Sequence, residues 1–512
     1  LAVPEIVLTT LNAKFIHAAF GLRYLFANLG ELKPRAVIAE FDINQRPLDI
    51  AEVLLAREPK IIGFGVYIWN VHETCEVIST IKRIRPGIKI ILGGPEVSYE
   101  TAGQEIVRLA DYVITGEADL KFAEICRRLL GGEGLPEKII LAELPDFSRI
   151  VLPYELYTQA DLAHRIVYVE ASRGCPFTCE FCLSSLDIPV RAVPLPSFLG
   201  EMQKLLDRGL KQFKFVDRTF NLNAVTSRAI LEFFLARYEP GMFFHFEMIP
   251  DRLPAELRTI IAKFPPGALQ FEVGIQTFNP ETGSLISRRQ NYDRLADNFN
   301  FLRRETGVHI HADLIVGLPG ESLASFAAGF DRLIALGPQE IQVGILKRLR
   351  GTPIARHDVE WQMLYHPQPP YEILQNRLID FATLQRLRRF AKYWDLVGNS
   401  GNFVETTPLI WSSDPPFAGF LRLSDWLYAH TGRTDSIALM RLMELLFVYL
   451  TDCLLLDKIR IAETLWRDYQ RGGRFDKPGF MKDYLPATEP RATRAARNDG
   501  TNLPKRQARH LV

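Results

Sequence analysis

The sequence predicts an α/β protein with two successive strand–helix regions followed by a mostly helical one. Three observations carry this expectation. Over residues 1–130, short β-branched runs alternate with amphipathic stretches. Over 166–360 the rhythm returns, with polar and glycine clusters at the ends of the runs. From 361 to 485 the strand-like runs give way to long helical periodicities. A chain of 512 residues has room for two or three domains and a sizeable core. A composition of 47% hydrophobic and 24% charged residues is that of a globular protein, and the net charge of +1 exerts no overall pull on nucleic acid or anionic membrane. No window approaches ~18 uninterrupted apolar residues, so no membrane span is expected.

In the first region, strands are expected at Ile6–Thr9, Ala36–Phe41, Ile61–Val66, Lys89–Leu92 and Tyr112–Thr115. Helical periodicity lies between them, at Gly21–Leu29, Leu48–Arg57 and Glu73–Ile84. Continuous apolar strands separated by amphipathic helices imply a doubly wound parallel sheet, covered on both faces, whose ligands bind beyond the carboxyl ends of the strands. The features at those ends are Asn12 to His17, Gly65 to Asn70 with Tyr67 among them, Gly93-Gly94-Pro95-Glu96, and Gly116-Glu117. A second glycine at a strand end lets a flat or bulky ligand approach the backbone. Residues 131–165 carry Gly131, Gly132, Gly134, Pro136, Pro145 and Pro153 and are expected to be a linker.

Six strand-like runs follow in 166–360. They are Ile166–Glu170, Gln212–Val216, Phe243–Met248, Leu269–Ile275, His309–Val316 and Glu340–Leu346, a number that suits a partial (β/α)6 barrel. After 361, helices are expected at Tyr371–Leu396, Leu421–His430, Asp435–Leu456 and Ile459–Tyr469. Their tryptophans read as core rather than as a binding platform. The stretch 486–512 is poor in apolar residues, basic, and expected to be disordered.

Cys175, Cys179 and Cys182 stand as C-x3-C-x2-C just after the first strand of the second region, with Phe181 placed to pack beside a ligand. Thiolates are the ligands of iron–sulfur clusters, and three of them leave one iron of a [4Fe–4S] cluster open. From spacing alone a structural zinc with a distant fourth ligand stays open. With 6 cysteines in 512 residues and no secretory signal, a disulfide knot is not expected.

The C-x3-C-x-aromatic-C pattern resembles the signature of the radical S-adenosylmethionine (radical SAM) superfamily. The strand, Gly-Gly-Pro-Glu, strand and Gly-Glu series before it looks like the cobalamin-binding domain of the cobalamin-dependent class. The resemblance implies a cobalamin-binding domain over 1–130, a radical SAM barrel over 166–360 and a capping domain over 361–485. It implies three cofactors: a [4Fe–4S] cluster on Cys175, Cys179 and Cys182, S-adenosylmethionine, and cobalamin. Gly93 and Gly94 would pass near the nucleotide tail of cobalamin, Tyr67 would lie near its corrin ring, and Pro95, Glu96 and Gly116 would belong to the same cofactor-binding set. Val216-Asp217-Arg218 stands where many members carry Gly-Gly-Glu, which makes Asp217 the candidate for the methionine ammonium. Glu247 and Glu272 fall at strand ends where that ammonium or the ribose is met, and Gln276 and Asp313, on runs that resemble the family's fourth and fifth strands, join the cofactor-binding set. One departure matters: His17 lacks the Asp and Gly of the Asp-x-His-x-x-Gly motif that ligates cobalt from below, so corrinoid bound without a histidine ligand is expected.

The activity implied is reductive cleavage of S-adenosylmethionine to a 5′-deoxyadenosyl radical, serving methyl transfer to, or rearrangement of, an unactivated carbon. The partners expected are a small-molecule or peptide substrate and an electron donor such as flavodoxin or ferredoxin, with neither membrane nor nucleic acid. Reduced thiols and an oxygen-sensitive site point to the cytoplasm. Two other classes stay in view. An RNA-modifying, methylthiotransferase-like enzyme needs a second three-cysteine set, yet residues 1–130 hold only Cys75 and Cys126. A non-catalytic cobalamin or metal sensor would leave the open iron without a role.

Overall fold

The computed structural model describes residues 4–187, 189–485 and 504–510. The chain forms two compact units. The first comprises the residues up to Asp217 together with Lys347–Pro353 and His366–Tyr371; the second comprises Arg218–Leu346, Ile354–Tyr365 and the chain from Glu372 on.

The first unit is built on β1 (Ile6–Asn12), β2 (Ala36–Asp42), β3 (Ile61–Gly65), β4 (Lys89–Gly93), β5 (Tyr112–Thr115) and β6 (Ile139–Leu141). They form one sheet in the order β2-β1-β3-β4-β5-β6, every pair parallel. All seven residues of β1 are buried, as a strand covered on both faces requires. Two hydrophobic clusters do the covering. Ile50, Leu54, Val77, Ile81 and Ile106 close one face, while Leu22, Phe122, Ala123 and Ile125 close the other. Burying each Leu or Ile contributes about 2 kcal/mol. The strand order reverses between β1 and β3, which opens a crevice beyond their carboxyl ends.

β6 lies in the stretch expected to be a linker. Ile139-Ile140-Leu141 is an apolar run too short to stand out among the surrounding glycines and prolines, yet it pairs with β5 over three residues. The unit continues with β7 (Val167–Val169), β8 (Ser172–Arg173), β9 (Arg191–Ala192) and β10 (Gln212–Phe215). β10 runs parallel to β7, and β8 pairs antiparallel with β9.

The second unit carries β11 (Phe243–Met248), β12 (Leu269–Gln276), β13 (His309–Val316) and β14 (Glu340–Ile345), parallel in that order. Helices Ala255–Ile261, Tyr292–Glu305 and Leu323–Leu336 separate them. Asn291 and Ser322 cap the last two, each side chain accepting a backbone N–H of the first turn. Phe246, Phe271 and Ile310 point one way from the strands and are buried; Glu247, Glu272 and His311, which are in register, point the other.

Beyond the strands come the helices Phe381–Val397, Pro416–Thr431, Leu439–Val448 and Lys458–Arg471. Trp394 packs among Phe330, Phe390 and Phe420. The helix expected from Tyr371 starts only at Phe381: Tyr371 has a φ of 55°, Ile373–Gln375 pairs with Leu364–Tyr365, and Asp380 caps the true start. Of the basic tail, 486–503 and 511–512 lie outside the described residues. Lys505–His510 is a helix rather than the disordered segment expected, because Arg506 pairs with Glu340 and Asp395. Among the described residues no helix is long and apolar enough to cross a membrane.

Candidate functional site

Glycines of the first unit, most of them at or near strand ends, line a cavity of about 280 Å³. They are Gly63 and Gly65 of β3, Gly93 and Gly94 at the end of β4, Gly116 after β5, and Gly21; Tyr24, Tyr67 and Phe122 complete much of the apolar wall. A Cβ on Gly93 would meet nothing nearer than the Ile114 carbonyl at 3.8 Å, and one on Gly21 only the Tyr67 hydroxyl at 3.6 Å, so bare backbone borders open space at both. Gly94 has a different reason to be glycine: its φ is 107°, and a Cβ would stand 2.4 Å from the Val66 carbonyl. Tyr67 stacks on Trp69 at 4.5 Å between ring centres, and Trp69 is 44% exposed. Asn70 fixes this pair, accepting the Tyr67 N–H at 2.8 Å and donating to Thr10 and to the Leu11 carbonyl. A glycine cradle with aromatic walls suits a flat heteroaromatic group, and the cavity fits a corrinoid tail in that respect.

Pro95 and Glu96 do not line the cavity. Glu96 is buried and accepts Arg350 Nε at 2.8 Å and the Tyr371 hydroxyl at 2.6 Å, while Glu100 binds Arg348 and the Gly351 N–H. His17 does not line the cavity either. Its Nδ1 lies 2.6 Å from the Tyr168 hydroxyl, and burial, together with Lys214, Lys14 and Arg165, lowers its pKa.

The three cysteines share one loop of the first unit, with Cys175 and Cys179 buried and Cys182 half-buried. The loop is tightly shaped. The Cys182 N–H bonds the Cys179 carbonyl at 3.1 Å, and the Cys175 N–H bonds the Asp187 carbonyl at 3.0 Å. Gly174, at φ 89°, lies so close that a Cβ would touch the Asp187 carbonyl at 2.7 Å. Phe181, half-buried, sits between the second and third cysteines. Among the described residues no three His, Cys, Asp or Glu side chains gather as a single metal ion requires. In a four-iron cluster each thiolate binds a different iron, so the donor set and the shared loop fit that group. Cys126 in the first sheet domain stands apart from them, its thiol pushed up to about 12 by burial.

Asp217 stands at the root of this loop. Its carboxylate accepts the Ala171 N–H at 3.0 Å and the Ser172 hydroxyl at 2.6 Å, and burial raises its pKa to about 7 against those hydrogen bonds. Arg173 is the residue that sequence reasoning missed. It lines the glycine cavity and stands two positions before Cys175, with Glu170, Asp119 and Glu117 around its guanidinium. Gly65 carried a legible signal, a glycine closing a β-branched run; Asp119 and Arg173 carried none.

Glu247, Glu272, Gln276 and Asp313 belong to the second unit, where the strand register brings three of them to one face. Glu247 lies opposite Glu272, and Asp313 opposite Gly274. Burial pushes Asp313 well above the usual carboxylate range, and Glu272 and Glu247 push it further. Burial likewise raises Glu247, against its ion pair with Arg218 at 2.9 Å. Glu272 meets His245 at 3.1 Å. Gln276 sits at a bulge with φ 71°, its amide against Gly274, where a Cβ would lie 2.6 Å from its nitrogen.

Comparison with known proteins agrees with this geometry. A family model described as B12 binding domain matches residues 6–126, and one described as Radical SAM superfamily matches 169–333. Residues 359–507 match a family described as Protein of unknown function (DUF4080). An uncharacterized methyltransferase of Pyrococcus horikoshii is 25% identical over 331 residues, 59% of this chain and 70% of that one. A 2-(S-pantetheinyl)-carbapenam-3-carboxylate methyltransferase of Streptantibioticus cattleyicolor is 23% identical, over 55% of this chain and 46% of its own length. A ribosomal protein uS12 methylthiotransferase of Pelobacter propionicus is 23% identical, over 51% of this chain and 58% of its own. The chain thus spans about half the length of these last two. In fold it is similar to the radical SAM methyltransferase TsrM of Kitasatospora setae, with a TM-score of 0.57 at 16% identity over 70% of this chain and 76% of that one. The cofactors that go with these two matched domains are cobalamin, a [4Fe–4S] cluster and S-adenosylmethionine. The chain thus carries a B12 binding domain followed by a radical SAM domain.

Proposed function

We propose that the protein is a cobalamin-dependent radical SAM methyltransferase acting on an unactivated carbon of a small-molecule or peptide substrate. The observation that carries this reading is that one unit holds both the three-cysteine loop and the glycine cavity, with Arg173 common to the two. When bound, the cluster supplies the electron that cleaves S-adenosylmethionine and the corrinoid supplies a methyl carrier, chemistry beyond any side chain. Two relatives named as methyltransferases favour methyl transfer over rearrangement.

The residues then divide the work of holding. Cys175, Cys179 and Cys182 would bind three irons, with Phe181 screening the loop. Gly93, Gly94 and Gly116 would receive the corrinoid tail and Tyr67 would face the ring. His17, which is not among the residues lining the cavity, would leave the cobalt without a histidine ligand. Asp217 would fix the root of the cysteine loop and meet the methionine ammonium. Glu247, Glu272, Gln276 and Asp313 would receive the cationic and ribose parts of S-adenosylmethionine, since a bound cation relieves the mutual repulsion of buried carboxylates. On this reading 1–130 is the corrinoid domain, 166–360 the barrel and 361–485 a cap, and the enzyme works in the cytoplasm with a flavodoxin or ferredoxin as donor.

Anaerobic reconstitution tests the reading. The protein is expected to take up about four irons and one corrinoid, and to consume S-adenosylmethionine only with a reductant present. Cys179→Ala should abolish that consumption. Consumption that survives the substitution, or a protein that takes up no corrinoid, would falsify the reading.

A further inference from the structure

The wall of the glycine cavity and the anchor of the cysteine loop are one ion network. Arg173 lies half-buried in the cavity wall, and its guanidinium is held on three sides. Nη2 meets Glu170 Oε1 at 2.8 Å, Nη1 meets Asp119 Oδ2 at 2.9 Å, and Nη1 also meets Glu117 Oε2 at 3.0 Å. Tyr24 and Phe147 cover it, with ring centres 4.5 and 5.1 Å away. Asp119 and Glu170 line the cavity beside it.

Glu117 is shared with Arg191, which lies beyond the cysteines, and Arg191 donates to Asp187 at 2.9 Å. Asp187 in turn accepts the Cys175 N–H through its carbonyl. The loop from Gly174 to Asp187 is therefore clamped at both ends to Glu117 and Asp119, the residues that follow Gly116 at the end of β5. A guanidinium fork fixes several oxygens at once. A packed interior transmits a shift rather than absorbing it. A ligand pressing on the cavity wall thus displaces the groups that set the shape of the loop.

We propose that this clamp couples the two cofactors: loading the cavity favours the loop geometry that holds the cluster, and an assembled cluster favours corrinoid binding. Arg173 is the positioning residue of that coupling. The inference rests on the proposed function, which takes the cavity as the seat of the corrinoid tail and the cysteines as cluster ligands.

The test titrates hydroxocobalamin into the full chain, with and without its reconstituted cluster, and follows binding by absorbance. Linkage requires a reciprocal effect on the two binding equilibria. The cluster-bearing protein is expected to bind at least about fivefold more tightly, and bound corrinoid should slow the loss of iron to a chelator. Arg173→Lys keeps the charge but loses the fork. The folded variant should still bind both cofactors while the affinity ratio falls toward one. Glu117→Gln, which frees the far end of the loop, should do the same and serves as the test if Arg173→Lys does not fold. A ratio of one in the unaltered protein overturns the coupling alone, as does a full ratio in the folded variants. A protein that binds no corrinoid or builds no cluster overturns the functional reading and the coupling with it.

Discussion

The two parallel sheets treat their faces differently. In the first unit, β1 is buried on both sides by aliphatic residues, and the chemistry is displaced to glycines beyond the strand ends. In the second, β11 to β13 keep one face apolar and fill the other with His245, Glu247, Glu272, His311 and Asp313. A doubly wound sheet has no inside to offer, so a ligand must be met at its edge by bare backbone. Strands with a polar face can meet one with side chains, at the cost of burying carboxylates. The first arrangement depends on space and the second on protonation, and the two fail under different perturbations.

The largest expected effect breaks the first arrangement. Gly94→Ala forces a Cβ against the Val66 carbonyl at a positive φ. Chemical denaturation should find the protein destabilised by about 3 kcal/mol, with corrinoid binding lost. A variant as stable as the parent would show that the β4 turn is not constrained as described.

The next effect probes the second arrangement. Glu321, buried and bonded through Oε1 to the Thr277 hydroxyl at 2.6 Å, has its pKa raised by burial from 4.5 to about 7. Because the folded state holds this proton more tightly than the unfolded one, its contribution is fully present below pH 4.5. It is lost as pH rises toward 7. Glu321→Gln, which stays neutral, should match the parent at pH 4 and exceed it by on the order of 2 kcal/mol at pH 8. Equal denaturation midpoints at both pH values would contradict it.

The smallest stability change sharpens the first arrangement. Gly93 is next to Gly94 but borders open cavity. Gly93→Ala should shift stability by less than ~1 kcal/mol while its methyl occupies the ligand's space, weakening corrinoid uptake in an equilibrium titration. Unchanged uptake would mean that the tail does not reach this wall.

The sequence made legible whatever is local. The runs of β1 to β5, the alternation in β11 to β13 and the cysteine spacing each declare themselves within a dozen residues, because pleat, helix pitch and ligand number impose short periods. What was not legible is what depends on distant partners. Glu96 reads as part of a cofactor loop, yet its carboxylate is occupied by Arg350, 254 positions away. Arg173 looks like any arginine before a cysteine until Glu117 and Asp119 arrive beside it. The third strand residue lost to the apparent linker, Leu141, is 76% exposed, so the β6 run offers a weak hydrophobic signal.

The pairing of Glu96 with Arg350 and Tyr371 also has a consequence in time. A ribosome adding about 5–20 residues per second completes the β4 turn long before it makes the partners of that carboxylate. The separation of 254 positions corresponds to roughly 13–50 seconds. Through that interval the nascent first sheet carries an acidic group with neither of its two mates. The N-terminal domain is therefore begun first and finished late, and a shortened gene product ending before residue 347 would stay in that unfinished condition.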